Sequence, residues 1–348
     1  MKKFLNLMMA LLVISVAITT ADACSRVTYT TDSGTVVTGR TMDWLSVDNP
    51  HLHIFKRGAK YTSTTKSNPA QWTSKYGVVA VTSMGNLVNS GVNEKGLAAD
   101  VLWLDVSDYG KLVSGQKSVT VPEYLKYMLD NFATVDEVVK FVNSNKIKPV
   151  LNETETFTGV APKLHYIFTD KTGDNVIIEF VKGNTKVYRQ KGRIVMTNDP
   201  EYDKMLAIKN YFDEVGILEN MPGSSLSQAR FVYLSGWLKG FTNKNLDGYL
   251  PEIQDQSFDR QTILSVLSLM RGVSTPLGVE LSEAEPNNTS TLWRTVTDVK
   301  NGKFYFDSAL KMMTFSVDLN KIDFSKDYQA IDLAKTYELN GDITDNLK

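Results

Sequence analysis

Apolar residues recur with two different periods along the chain, and these periods predict its secondary structure. Alternation and short apolar runs predict strands at residues 24–31, 35–44, 78–82, 97–104, 165–169, 175–181, 194–197, 292–299, 303–306 and 313–319. Spacing of three to four residues predicts helices at 121–132, 135–143, 201–215, 227–241 and 260–270. Strand blocks separated by helix blocks favour an α+β fold of antiparallel sheets covered by helices. Polar stretches at 110–118 and 281–289 are the expected loops.

The N-terminal segment has the pattern of an export signal rather than of a structural element. Lys2 and Lys3 precede a mostly apolar stretch at residues 4–18, which is the order of regions in a secretory signal peptide. A stretch of about 15 apolar residues falls short of the ~20 that span a bilayer. We therefore expect residues 1–23 to be a signal peptide, with a membrane anchor as the alternative.

The expected cleavage site leaves a cysteine at the start of the mature chain. Ala21 and Ala23 give the small-x-small pattern that precedes cleavage, so Cys24 becomes the first residue of a single domain over residues 24–348. Lipidation of Cys24 is the alternative, but Ala21 and Asp22 replace the leucine and the uncharged small residue that lipidation sites favour. The expectation is an exported bacterial protein, periplasmic or secreted, with no stable membrane anchor.

Cys24 is the one cysteine of the sequence, so no intramolecular disulfide can form. A lone thiol at the first residue of an exported chain points to chemistry, although a small residue at a cleavage boundary is the structural alternative. An N-terminal cysteine carries its own base, because an α-amino group with a pKa of about 7.7–8 can accept the proton of a thiol with a pKa of about 8.5. Cys24 is therefore the candidate nucleophile.

The histidines offer no clear partner for this thiol and no clear metal site. His51 and His53 lie in a probable strand with no Cys, Glu or further His at ligand spacing, so we expect a structural or surface role. A Cys24–His165 pair stays open, but nothing around His165 supports it. No metal or cofactor is expected.

The first two strands of the mature chain predict a β-hairpin with its turn at residues 32–34. A two-residue turn sets Asp43 opposite Cys24, and a three-residue turn sets Met42 there. Asp43 could hold the N-terminal amine near the thiol, and the guanidinium of Arg40 could stabilise a thiolate or a developing negative charge. A regular pleat puts Arg40 and Asp43 on opposite faces, so a bulge or a long reach is required for both to act on Cys24.

Charge and composition exclude two classes of protein. The 348 residues carry 38 Lys and Arg against 39 Asp and Glu, a formal net charge of −1, whereas nucleic-acid-binding domains usually show a basic excess or patch. The hydrophobic fraction of 42% and the charged fraction of 22% are ordinary for a globular protein. No nucleic-acid partner is expected, and wholesale disorder is excluded.

Several runs in order resemble one family. The runs are 24–26 (CSR), 39–44 (GRTMDW), 91–97 (GVNEKGL), 196–200 (MTNDP), 227–231 (SQARF) and 270–276 (MRGVSTP). They resemble the choloylglycine hydrolase family, the bile salt hydrolases and penicillin V acylases, which are N-terminal-nucleophile hydrolases. The run at 72–77 (WTSKYG) and the RTMDW run are similar to the Gram-negative branch.

The resemblance implies a fold and a mechanism. The fold is a four-layer αββα sandwich, in which Cys24 attacks an amide carbonyl and forms a thioester while its amine acts first as base and then as acid. Arg40 and Asp43 would flank the nucleophile, Asn198 would donate to the oxyanion, and Arg230 would support the site electrostatically.

The resemblance is weakest on the substrate. A second oxyanion or contact position, often Asn or Tyr in the family, corresponds to Trp103, whose side chain has no oxygen. Met42, Trp44, Leu102 and Trp103 are the expected walls of an apolar cleft. Conjugated bile salts are the first expected substrate, and penicillin V and acyl-homoserine lactones are the alternatives. The resemblance also implies a homo-oligomer, a tetramer. A lipid-anchored protein without catalysis and a ligand-binding envelope protein remain alternatives.

Overall fold

The computed structural model describes residues 24–46, 48–84, 87–152, 157, 160–223, 225–241, 258–278 and 289–348. The expected signal peptide at 1–23 and all but the last residue of the expected loop at 281–289 lie outside the described residues. The strands of the described residues are β1 (Ser25–Thr30), β2 (Val36–Trp44), β3 (His51–Phe55), β4 (Lys60–Thr62), β5 (Gln71–Thr73), β6 (Val78–Ser83), β7 (Leu87–Asn93), β8 (Ala98–Trp103), β9 (Lys117–Thr120), β10 (Ile147–Val150), β11 (Leu164–Thr169), β12 (Asp174–Val181), β13 (Asn184–Lys191), β14 (Ile194–Thr197), β15 (Ser290–Asp298), β16 (Lys303–Ser308), β17 (Thr314–Asp318), β18 (Ile331–Asp332) and β19 (Gly341–Asp342). The helices are α1 (Val121–Asn131), α2 (Val135–Ser144), α3 (Tyr202–Glu214), α4 (Ser227–Gly240) and α5 (Phe258–Gly272).

Two large sheets organise the chain. One has seven strands in the order β14-β1-β2-β15-β16-β17-β19, and the other has eight in the order β13-β12-β11-β8-β7-β6-β3-β18. Pairing is antiparallel in both, except between the short β19 and β17. Helices α4 and α5 pack on the seven-stranded sheet, and α1 and α2 pack on the eight-stranded sheet. The order helix, sheet, sheet, helix confirms the predicted α+β sandwich.

Local sequence signals explain where the elements begin and how closely they approach. Helix α2 starts in a capping box, in which Thr134 Oγ1 accepts the N–H of Glu137 at 3.2 Å and the Glu137 carboxylate accepts the N–H of Thr134 at 3.3 Å. Gly39 in β2 faces α5, where an added Cβ would lie 2.6 Å from Val266 and 2.8 Å from Met270. The absence of a side chain at this position lets α5 lie close on the sheet.

The hairpin formed by β1 and β2 has a three-residue turn. Ser25 pairs with Thr41 and Thr30 with Val36, and the turn closes through the N–H of Gly34 to Thr31 O at 3.0 Å. Gly34 adopts φ +82°, which glycine accepts without strain. The two-residue alternative, with Asp43 opposite Cys24, is therefore wrong, and the register extended by one position sets Met42 opposite Cys24.

The predicted helices and strands are found within a few residues of their expected bounds, but several strands were not predicted. Strand β7 (LVNSGVN) lies between β6 and β8 and is buried throughout. Asn93 can be buried without loss of hydrogen bonds, because its side-chain amide donates to the carbonyls of Leu129 and Phe132 at 2.9 and 2.7 Å. The expected loop at 110–118 is also shorter than predicted, because β9 takes its last two residues.

A buried polar layer joins the two sheets. Arg26 of β1 donates from Nε to the Asp100 carboxylate of β8 at 3.0 Å and from Nη2 to Thr169 Oγ1 of β11 at 2.7 Å. The side chain of Arg26 is fully buried and that of Asp100 nearly so. Burial lowers the pKa of Arg26, and the charge and hydrogen bond of Asp100 oppose that shift. The pair fixes how the sheets stack, because an unpaired buried charge is costly.

Replacing Arg26 tests this coupling. We expect Arg26→Met to reduce the free energy of unfolding by about 3 kcal/mol, because it leaves the Asp100 carboxylate buried without its partner. The double variant Arg26→Met/Asp100→Leu should recover most of that loss, since it removes both charges. Urea denaturation followed by circular dichroism measures both, and equal stabilities of the single and the double variant would contradict the argument.

Candidate active site

Cys24 lies directly before β1, at one end of the seven-stranded sheet, and is 4% exposed. Its Sγ accepts the main-chain N–H of Asp43 at 3.5 Å and lies 3.9 Å from Nη2 of Arg40. The thiol in turn lies 3.7 Å from the carbonyl oxygen of Asp43. An N–H and a guanidinium beside a sulfur favour the thiolate, which is the nucleophilic form of cysteine.

Arg40 extends from β2 into the space between the two sheets. Its Nη2 donates to Val101 O at 3.2 Å and lies 3.1 Å from Met42 Sδ, and its guanidinium lies 4.6 Å from the ring centre of Trp293. The buried Nε and Nη1 have no hydrogen-bond partner among the described residues. The guanidinium therefore has hydrogen-bonding capacity left among the described residues.

The carboxylate of Asp43 points to the other face of β2, toward the helices. It accepts Nη1 of Arg230 at 2.6 Å and the hydroxyl of Thr291. The hydroxyl of Thr41 lies 3.3 Å from the same carboxylate and accepts the N–H of Ser25 at 2.9 Å. Thr41 thus connects Asp43 to the amide that directly follows Cys24. Neither Thr41 nor Thr291 was predicted as a site residue from the sequence, although Thr41 is two residues from Asp43 and therefore on the same face of the strand.

Arg40 and Asp43 have their side chains on opposite faces of β2, as predicted. Both residues nevertheless reach Cys24 without a bulge between β1 and β2. Arg40 contacts Sγ with its side chain, and Asp43 contacts it with its main chain. A bulge does occur, but in β15, between Thr291 and Trp293 opposite Asp43 and Met42. It directs the Thr291 hydroxyl to the carboxylate of Asp43.

Asn198 follows β14, on the opposite side of β1 from β2. The pairing of Ser25 with Thr197, extended by one position, sets Asn198 opposite Cys24. Its Nδ2 donates to Trp103 O at 2.8 Å, which leaves the second hydrogen of the amide for another acceptor. Asn198 is fully buried, and its Oδ1 has no partner among the described residues. The amide is therefore held by one bond and has hydrogen-bonding capacity left.

The residue after Asn198 ties this corner to the end of β8. Asp199 accepts the N–H of Asp105 with both carboxylate oxygens, at 3.0 and 3.1 Å. Burial raises the pKa of Asp199, and the hydrogen bond from Asp105 opposes that shift. Asp105 also accepts the indole N–H of Trp103 at 2.7 Å. Trp103 therefore holds Asn198 through its carbonyl while its side chain is fixed by Asp105.

An apolar slot lies next to Cys24 and Arg40. The four predicted wall residues, Met42, Trp44, Leu102 and Trp103, all line it. The rings of Trp44 and Trp103 have centres 5.8 Å apart at an angle of 55°, and the slot has a volume of about 20 Å³. Residues that the sequence analysis did not identify complete the lining: Met84, Leu87, Asn89, Val101, Phe157 and Leu164.

The histidines have contacts of their own. His165 is buried with Nδ1 3.1 Å from the Glu179 carboxylate, and His51 Nδ1 lies 3.0 Å from Asn49 O. Over the described ranges, no group of three His, Cys, Asp or Glu side chains is placed to hold a metal ion. Within the same ranges, no helix is long and apolar enough to cross a membrane.

Known proteins resemble the chain along most of its length. Residues 24–334 match the family model of linear amide C–N hydrolases, choloylglycine hydrolase family. A penicillin V acylase of Pectobacterium atrosepticum is 35% identical over 313 residues, 86% of this chain and 82% of the relative. A bile salt hydrolase/transferase of Clostridium perfringens is 30% identical over 206 residues, 57% of this chain and 59% of the relative.

Solved structures show the same fold. The penicillin V acylase of Agrobacterium tumefaciens superposes with a TM-score of 0.80 at 31% identity, over 93% of this chain and 97% of that protein. A variant of the conjugated bile acid hydrolase of Clostridium perfringens superposes with a TM-score of 0.73 at 21% identity, over 91% and 99%. From the family match over residues 24–334 and the relative that is 35% identical, the chain belongs to the choloylglycine hydrolase family of linear amide C–N hydrolases.

Proposed function

We propose that the chain hydrolyses an amide with an apolar acyl group through a thioester on Cys24. The observation that carries this proposal is the position of Sγ, which lies at an apolar slot with the N–H of Asp43 at 3.5 Å and Nη2 of Arg40 at 3.9 Å. A thiol in this environment is activated toward an acyl carbon, and the apolar lining of the slot beside it suits an apolar group attached to that carbon.

The mechanism follows from the groups around Cys24. Its α-amine takes the thiol proton, and Sγ then forms a bond to the amide carbon. The negative charge on the substrate oxygen is met by the remaining Nδ2 hydrogen of Asn198, and Nη2 of Arg40 lies 3.9 Å from the sulfur. The protonated amine gives its proton to the leaving nitrogen as the C–N bond breaks. Water then cleaves the thioester, and the thiol is restored.

Asp43 and Arg230 act on the amine rather than on the sulfur. The Asp43 carboxylate is paired with Arg230 at 2.6 Å and linked through Thr41 to the amide of Ser25. This arrangement favours a protonated amine on Cys24, because a carboxylate stabilises a nearby cation. Arg230 fixes the direction of the carboxylate, so its role is to position Asp43.

The lining of the slot favours an acyl group with an aromatic ring. Trp44, Trp103 and Phe157 give it aromatic walls, against which a flat ring can pack, and a relative that is 35% identical is named a penicillin V acylase. We therefore propose a phenoxyacetyl amide of the penicillin V type as the preferred substrate. Conjugated bile salts, which the sequence analysis placed first, are the second candidate, since a relative that is 30% identical is named a bile salt hydrolase/transferase.

We further propose that the protein is exported, that residues 1–23 are removed, and that the mature chain forms a tetramer. The basic and apolar residues before Ala23 support export, and family resemblance supports the tetramer. A free N-terminus is also what the mechanism needs, because an amide nitrogen in an uncleaved chain cannot act as a base.

Turnover by the mature protein tests the proposed function. We expect the fastest amine release from penicillin V and slower release from glycocholate or taurocholate. The Cys24→Ala variant should release no amine from any of them. Because Cys24 lies at a chain end and forms no disulfide, the variant should keep its melting temperature. Turnover that persists in Cys24→Ala excludes the thioester route. Ligand binding without turnover in the wild-type protein supports a binding protein instead.

Replacing Asn198 tests the oxyanion contact. We expect Asn198→Asp to lower kcat about a hundredfold with little change in KM, because it keeps the shape but loses the Nδ2 donor. Steady-state kinetics on the substrate with the highest turnover measure this, and the melting temperature separates loss of the donor from loss of folding. A kcat within threefold of the wild type would remove Asn198 from the mechanism.

Native mass spectrometry of the secreted protein tests maturation and assembly together. We expect a subunit that begins at unmodified Cys24 and assembles into a tetramer. A precursor that retains residues 1–23 should be inactive, since its Cys24 nitrogen is acylated. A diacylglyceryl adduct on Cys24 would instead support the lipid-anchored alternative, because the thiol is then consumed, and an active precursor would contradict the self-base mechanism.

A further inference from the structure

A buried carboxylate with no part in the proposed mechanism is linked to Arg40 through Trp293. Asp48 belongs to the segment between β2 and β3 and is 4% exposed. Its Oδ2 accepts the indole N–H of Trp293 at 2.9 Å, and its main-chain carbonyl accepts the N–H of Met84 at 3.1 Å. Burial raises the pKa of Asp48, and hydrogen bonds from the indole and from Ser83, together with the charge of Arg40, oppose that shift. A carboxylate is costly to bury, so the groups that face Asp48 indicate its role.

The bulge in β15 puts Trp293 on the face of the sheet that carries Arg40. The register shifts between Thr291 and Trp293, so that Trp293 lies opposite Met42 of β2. Directly paired residues of neighbouring strands point to the same face, and Met42 is two residues from Arg40. Without the bulge, Leu292 would lie opposite Met42. The bulge therefore brings an indole, rather than an aliphatic side chain, next to the guanidinium.

The indole of Trp293 supports the guanidinium of Arg40. Cζ of Arg40 lies 4.6 Å from the ring centre, and tryptophan is the strongest aromatic partner of a cation. Nη2 donates to Val101 O at 3.2 Å and lies 3.9 Å from Cys24 Sγ. Because Nε and Nη1 have no hydrogen-bond partner among the described residues, contact with the ring face restrains the rest of the group. The hydrogen bond from the indole N–H to a carboxylate strengthens this contact, since it adds electron density to the ring.

We propose that Trp293 and Asp48 are positioning residues for Arg40. The ring face of Trp293 holds the guanidinium beside Cys24 Sγ, and the side chain of Asp48 holds the ring through its N–H. Three contacts thus form one chain from the buried carboxylate to the sulfur. The inference rests on the proposed function, in which Arg40 favours the thiolate of Cys24. Loss of either support lowers the fraction of Cys24 that is thiolate at a given pH.

Two uncharged replacements of Asp48 separate its hydrogen bond from its charge. Asp48→Asn keeps an oxygen that accepts the indole N–H, whereas Asp48→Leu has the same branching without an acceptor. The mature protein is alkylated by iodoacetamide at a rate that follows the thiolate fraction of Cys24, so the pH profile of this rate needs no amide substrate. We expect Asp48→Leu to react about threefold more slowly than Asp48→Asn on the acidic side of the titration. Superimposable profiles of the two variants would overturn the proposal.

A second pair covers the case in which Asp48→Leu does not fold. The double variant Asp48→Asn/Trp293→Phe keeps a ring below the guanidinium but has no N–H for residue 48. It should be alkylated more slowly than Asp48→Asn by a similar factor, because the smaller ring is also a weaker partner for the cation. Equal rates in this pair would likewise overturn the proposal. Melting temperatures identify the variants that fold.

The background Arg40→Met tests whether Asp48 acts through the guanidinium. In that background the rates of Asp48→Asn and Asp48→Leu should become equal, because the group that they position is gone. A purely structural role of Asp48 predicts that the ratio persists, and a persistent ratio would overturn the proposal. As a control, the same two replacements at Asp327, whose side chain is 81% exposed, should react at one rate.

The failure of this inference differs from failure of the proposed function. If amides are cleaved in a Cys24-dependent reaction but Asp48→Asn and Asp48→Leu are alkylated alike, the positioning role is excluded and the amidohydrolase stands. If the two variants differ, and the difference is lost in Arg40→Met, while the wild-type enzyme cleaves no amide, the positioning role stands and the proposed function fails.

Discussion

The ladder that holds β1 between β14 and β2 is the constraint on which the site depends. Ser25 pairs with Thr41 on one side and with Thr197 on the other. These two registers put Cys24 between the end of β2, which supplies the N–H of Asp43, and Asn198. A shift of either register by one residue would turn each side chain to the other face of the sheet. The three-residue turn therefore sets which residues of β2 lie beside the thiol.

The same ladder separates the charges of the site. Arg40 and Asp43 are three residues apart on one strand and so point to opposite faces, one toward the eight-stranded sheet and the other toward α4. If both side chains met Cys24 on the same face, the guanidinium and the carboxylate would pair with each other and leave little charge for the thiol or its amine. Because Asp43 pairs with Arg230 instead, Arg40 remains beside Cys24 without a hydrogen-bonded carboxylate partner among the described residues, with Nη2 3.9 Å from Sγ.

The sequence predicts local features well and long-range ones poorly. Periodicity located the strands and helices whose residues repeat regularly, and strand alternation correctly placed Arg40 and Asp43 on opposite faces. It missed β7, because Asn89, Ser90 and Asn93 look like turn residues until tertiary hydrogen bonds satisfy them. Phe157 reaches the slot from a segment with no periodic pattern. Thr291 is 248 positions from Asp43, and no local spacing indicates such a contact.

The wall of the slot and the amide of Asn198, the proposed oxyanion donor, are physically one unit. The Trp103 ring lines the slot, while its carbonyl accepts the amide of Asn198. The indole N–H of Trp103 donates to the Asp105 carboxylate, and the N–H of Asp105 donates to the Asp199 carboxylate. A displaced Trp103 ring therefore moves the carbonyl that orients Asn198. On the proposed mechanism, an acyl group that fits the slot leaves this donor aligned, and one that forces the ring outward misaligns it. The proposal therefore implies that selectivity for the acyl group is expressed in the rate of the chemical step as well as in binding, since interactions that are stronger in the transition state raise kcat.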